Sequence, residues 1–215
     1  MSLTKRVLNM QISGTKLIQG VGVNDTDYKI TRNETYFDEY GNKKSKQIWK
    51  CPFYSVWYSI FNRAYSGKFP CYLGCSVHED WIYFSKFKSW MEDQDWQGKF
   101  LDKDLLVPGN KIYGPNTCVF VSRAVNNFLT DRKSLRGDYP LGVYYHKQCG
   151  KYVASCNNLF GESIHLGIFD DIEEAHRTYK FYKYEKAIEL ASMQDSTIVS
   201  KALISRYNPY NREII

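Results

Sequence analysis

Four apolar residues, Trp57, Ile60, Phe61 and Ala64, fall at i, i+3, i+4 and i+7 behind Pro52, and no other feature constrains the fold as tightly. Only an α-helix places such a set on one side, because its turns repeat every ~3.6 residues. A second stripe, Trp81, Phe84, Phe87 and Met91 with Trp90 beside it, predicts another helix over Glu79 to Met91. Stripes this aromatic belong to a core. Upstream the period changes. Residues 14 to 50 alternate loosely, with turn signals at Asn24-Asp25 and Tyr40-Gly41-Asn42, and predict short strands and loops. Within them Gly41 to Lys50 carries Lys43, Lys44, Lys46 and Lys50 and no acid, a segment suited equally to a phosphate backbone or to solvent.

Beyond the helices, Phe100 to Asp104 reads as a strand, Pro108-Gly109-Asn110 as a turn, and Thr117 to Val121 as a second strand. Ser122 then caps a helix with Val125, Phe128 and Leu129 facing inward. A basic linker with Arg132, Lys133 and Arg136 follows. Three strand candidates come next, Leu141 to Tyr145, Tyr152 to Cys156 and His165 to Phe169. A helix opens after them at Asp170, with Glu173 at the capping-box position and Ala175, Tyr179 and Tyr182 along one side. Residues 197 to 207 suit a short helix or strand. The expected class is α+β: a strand–strand–helix (ββα) unit with flanking helices, then a three-stranded antiparallel sheet packed on one helix. The expected division is an N-terminal β/loop region (1–50), the ββα domain (51–133), the sheet-and-helix domain (138–192) and a C-terminal extension (193–215).

Charge narrows the partner. The 29 Lys and Arg exceed the 23 Asp and Glu, a net +6 that favours an anionic ligand. Met1 to Asn9 has no apolar run behind it, so neither a signal peptide nor a membrane span is predicted and a cytoplasmic location is expected. Six cysteines are too sparse for a disulfide scaffold. Cys71 and Cys75 have no second close pair, so free thiols rather than a structural zinc are expected.

In the last third, Tyr139-Pro140-Leu141-Gly142-Val143, Gly150-Lys151-Tyr152-Val153-Ala154, His165-Leu166-Gly167-Ile168-Phe169 and Glu173-Glu174-Ala175 with Tyr179 occur in order. This series resembles the AP2-type DNA-binding domain over about residues 139 to 190. The resemblance implies double-stranded DNA as partner, met in the major groove by the sheet face that its helix leaves uncovered. Candidate contacts are Tyr145, His146, Lys147, Lys151, Tyr152, Ser155 and Asn157. Lys43, Lys44, Lys46, Arg63, Arg132, Lys133 and Arg136 complete the expected DNA-contacting set. Plant relatives commonly place arginines after Gly-Val, where this chain has Tyr144, Tyr145, His146 and Lys147.

The middle third resembles a phage and mobile-element family of HNH-like homing endonucleases. The ordered pieces are Trp57 with Phe61-Asn62-Arg63, Cys75 to Trp81, Phe84 with Phe87, Leu101-Asp102-Lys103-Asp104, Tyr113 to Cys118 and Asn126-Asn127. The resemblance implies hydrolysis of DNA phosphodiesters, in an infected bacterial cell, with Mg²⁺ or another divalent ion held by Asp102, with Asp104 as a second ligand. Asn126 or Asn127, both candidate catalytic residues, would face the same ion from the helix. Lys103 stands where the family has its general-base histidine, and Thr117 where it has an asparagine. His78 is the alternative base if the fold delivers it. Two readings stay open: an HNH-related endonuclease, and a catalytically inactive DNA-binding protein, regulatory or architectural, on the same scaffold. A third, a structural or host-interaction protein, has only the many tyrosines behind it.

Overall fold

The computed structural model describes residues 17–130 and 138–211, a mixed fold of α-helices and β-strands. Strands β1 (Thr31–Phe37) and β2 (Lys43–Lys50) precede helix α1 (Pro52–Tyr65). Strand β3 (Ser76–Val77) and helix α2 (Phe84–Glu92) follow. Three short strands come next, β4 (Phe100–Asp102), β5 (Ile112–Tyr113) and β6 (Val119–Val121), then helix α3 (Arg123–Leu129). Strands β7 (Val143–His146), β8 (Lys151–Asn157) and β9 (Ser163–Phe169) lead into α4 (Ile172–Ser192) and α5 (Thr197–Tyr207). Among the described residues no helix is long and apolar enough to cross a membrane. The chain divides into two compact units: one runs to Asp95 and takes in Asn110–Thr117, and the other holds Trp96–Gly109 and everything from Cys118.

The first unit is built on both predicted stripes. Trp57, Ile60, Phe61, Trp81, Phe84, Phe87 and Met91 are all buried, and the Trp57 indole N–H donates to the Trp81 carbonyl at 2.8 Å. The second stripe is not one continuous helix. A single 3-10 turn, Glu79–Trp81, precedes α2, and Tyr83 between them is extended. There the backbone of Val23 accepts from Phe84 N–H and donates to the Ile82 carbonyl, both at 2.9 Å. Asp25 caps the new start by accepting from Ser85 N–H at 2.8 Å. A segment sixty residues upstream therefore interrupts the helix, which no local period records. Strands β1 and β2 form an antiparallel ribbon closed by the predicted Tyr40-Gly41-Asn42 turn, with Gly41 at φ 77°.

In the second unit β4 and β6 pair antiparallel, and Ser122 caps α3 by accepting from Val125 N–H at 3.3 Å. The apolar side of this piece, Leu105, Val121, Val125 and Phe128, is buried with Ala187, Leu190, Ala191, Val199 and Leu203 of α4 and α5. Residues 197–207, left between helix and strand by their composition, form α5, capped by Ser196. Helix α4 starts one residue later than its sequence signature. Asp171, not Asp170, accepts from the N–H groups of Glu173 and Glu174, while Asp170 pairs with Lys151 at 3.0 Å.

The sheet β7–β8–β9 is antiparallel, and Val143 and Ala154 pack against Ala175 of α4. Gly142 is required here. It sits at φ +80°, and a Cβ on it would lie 1.9 Å from the Tyr179 ring, so any side chain would meet both backbone strain and overlap.

Candidate nucleic-acid interface

Register decides which sheet residues face away from α4, because opposed residues share a face and neighbours alternate. Val143 opposes Ala154, and Tyr145 opposes Tyr152, so both tyrosines lie on the helix side, their rings 5.4 Å apart edge to face. That corrects their expected place on the uncovered face. His146 and Lys151 oppose each other on the other side, as do Tyr144, Val153 and Ile168 across all three strands. A bulge at Leu166, where Ala154 pairs with Gly167 but Ser155 with His165, shifts the far end by one residue. Ser155 with His165, and Asn157 with Ser163, consequently join the uncovered face. Sequence reasoning missed Tyr144, Ser163, His165 and Ile168. The alternation of Ser163 and His165 was legible, but the bulge that aligns them with Asn157 and Ser155 was not.

The face thus combines imidazoles, an ammonium, hydroxyls and an amide around a buried Val153. Lys147 projects from the exposed turn after β7. His146 Nδ1 lies 3.2 Å from the Cys149 thiol, a contact that sets the ring at the lip of the same turn. Lys151 is shared with Asp170 in an exposed ion pair, an interaction worth little in water and readily exchanged for a phosphate.

The other expected contacts scatter. Lys43, Lys44 and Lys46 are exposed on β2. The Arg63 guanidinium donates to the carbonyl and hydroxyl of Ser59 and lies over the rings of Tyr72 and Tyr113, which ties it into its own unit. Arg132, Lys133 and Arg136 lie outside the described residues.

The hairpin acids are engaged locally. One Asp102 carboxylate oxygen accepts from the N–H groups of Asp104 and Leu105 at 2.9 and 2.6 Å, closing the turn after β4. Lys103 is 7% exposed, and its ammonium meets both oxygens of Asp104 at 2.7 and 2.8 Å. Arg206 of α5 donates to the Asp104 carbonyl. Asp104 does not fit as a metal ligand, since a divalent ion on it would sit against the Lys103 ammonium. Among the described residues no group of three His, Cys, Asp or Glu side chains gathers as a metal ion would need. Asn126 is half-buried and Asn127 exposed on α3. Thr117 donates to the Ile112 carbonyl at 2.7 Å. His78 caps the 3-10 turn by accepting from Asp80 N–H at 3.3 Å. None of the six cysteines is in a disulfide among the described residues.

The half-buried Lys183 carries no sequence signature. Its ammonium donates to the Phe128 carbonyl at 3.0 Å and lies 3.4 Å from the centre of that residue's ring. Burial holds its pKa below the usual lysine range, opposed by the nearby Cys156, whose thiol burial pushes up.

Compared with family models, curated proteins and solved structures, the chain matches none.

Proposed function

We propose that the chain is a duplex-DNA-binding protein and that it meets DNA with the uncovered face of the β7–β8–β9 sheet. The observation that carries this reading is the convergence of His146, Lys151, Ser155, Asn157 and His165 on one side of a sheet whose other side is closed by α4. Such a face offers cations for phosphates and an amide and hydroxyls for base edges. The net charge of +6 and the resemblance to AP2-type domains support the same partner. On this reading the β4–β6 hairpin and α3 are scaffold, with Lys103 and Asp104 neutralising each other.

The test uses the full chain, because α4 carries Ala187, Leu190 and Ala191 into a core that a fragment ending near residue 192 would open. Duplex affinity, measured by fluorescence anisotropy across a salt series, is expected to fall steeply as salt rises, since each neutralised phosphate releases counterions. Changing Lys147 and Lys151 together to Ala should weaken binding to every sequence and flatten the salt slope by about 0.9 for each phosphate no longer neutralised. No binding at low salt, or an unchanged slope, sinks the reading.

A second reading, a metal-dependent endonuclease, has one observation in its favour. Asp102 ends a strand whose antiparallel partner runs directly into the Ser122-capped α3, the order that an HNH-type unit needs.

A further inference from the structure

The β1–β2 ribbon is exposed on both faces over nearly its whole length, which core formation does not explain. A two-stranded ribbon is marginal in water and presents two strand edges. This one is nonetheless firmly closed. Asp38 accepts from the N–H groups of Tyr40 and Asn42 at 3.0 and 2.8 Å, and the backbones of Asp38 and Asn42 pair at 3.0 Å. Those bonds hold the Asp38 carboxyl below the usual carboxylate range. The ribbon is a closed hairpin that buries almost nothing of its own.

Its two faces differ in chemistry. On one, the cross-strand pairs are Asn33 with Gln47, Thr35 with Ser45, and Phe37 with Lys43. On the other, Glu34 opposes Lys46 and Tyr36 opposes Lys44. The first face therefore presents amides, then hydroxyls, then an ammonium in consecutive pairs, the groups that read adenine and guanine edges. Strand β2 as a whole has four lysines and no acid, which complements a phosphate backbone. A two-stranded ribbon also matches the ~12 Å width of a B-DNA major groove. Seven paired residues span roughly 24 Å at ~3.4 Å each, enough to cross the groove.

We propose that the β1–β2 ribbon is a second DNA-reading element, seated in a major groove with the face that carries Asn33, Gln47, Thr35, Ser45 and Lys43 toward the base edges. This rests on the DNA-binding reading above but names a surface in the other unit, which can fail separately.

The experiment is selection from a library of duplexes with a randomised core of about 30 base pairs, using the full chain, because a site read by two elements spans several helical steps. Wild type is expected to enrich a motif with two separable blocks. The double variant Asn33→Ala, Gln47→Ala should lose one block, keep the other, and bind preferred duplexes about tenfold more weakly for each bidentate pair removed. Both side chains are exposed, so folding is not at issue. As a gain-of-preference arm, Gln47→Arg should exchange an adenine for a guanine within that block, while Glu34→Gln on the opposite face should leave the motif unchanged. An identical motif from the double variant overturns the ribbon proposal and leaves binding by the sheet standing. A changed sedimentation coefficient with that unchanged motif identifies the ribbon as a self-association edge and also overturns it. Wild-type protein that binds no duplex overturns both readings.

Discussion

Lysines 103 and 183 show how burial redirects a charged side chain. Lys103 is paired with Asp104, so both residues that the family resemblance assigned to chemistry are engaged with each other. Among the described residues Lys183 has no such anion. It is stabilised by a carbonyl and the faces of Phe128 and Tyr207, which leave its charged form penalised by desolvation. The sign of the consequence follows from linkage. Because the folded-state pKa is lowered, the unfolded chain binds more protons between that value and the usual lysine value of about 10.4, and stability rises with pH through the window. The opposite contribution comes from the raised Cys156 thiol, so the comparison belongs in a Cys156→Ala background. There, urea midpoints taken from about pH 7 to 10 should climb for Lys183 and stay flatter for Lys183→Met. Parallel profiles would show that Lys183 is not desolvated as described.

At the scale of elements, α4 does two jobs along 21 residues. Ala175 lies against the sheet, while Ala187, Leu190 and Ala191 join α3, α5 and β6. The strand–strand–helix piece is therefore built onto the same helix as the sheet. Phe128 is the test of that joint. It lies edge-on to Tyr207 with ring centres 5.1 Å apart and is buried in the shared core. Phe128→Ala should lose roughly 3 to 5 kcal/mol in denaturant unfolding. Phe181→Ala, on an exposed side of the same helix, should lose less than about 1 kcal/mol. Equal losses would mean that α3 is not anchored there.

For the whole molecule the question is whether binding is accompanied by cleavage. With Asp102 closing a turn and Asp104 held by Lys103, purified protein supplied with Mg²⁺ or Mn²⁺ and long natural DNA should bind it and leave it intact. Cleavage that disappears in Asp102→Asn, with affinity kept, would instead establish the endonuclease. Much of this architecture was written locally. The stripes from Trp57 and Trp81, the Ser122 cap, the Gly41 turn and the order of three strands before a long helix follow from period and turn chemistry, which short stretches of chain determine. What the chain alone could not convey depends on residues far apart. Val23 and Asp25 interrupt a helix, the bulge at Leu166 selects which side chains share the uncovered face, and α4 and α5 take the apolar side of α3. The Asp102-Lys103-Asp104 run supplied the residue types for a metal site by itself. Tertiary structure closed Lys103 into the interior, and there an ammonium must find its counter-charge in the nearest carboxylate.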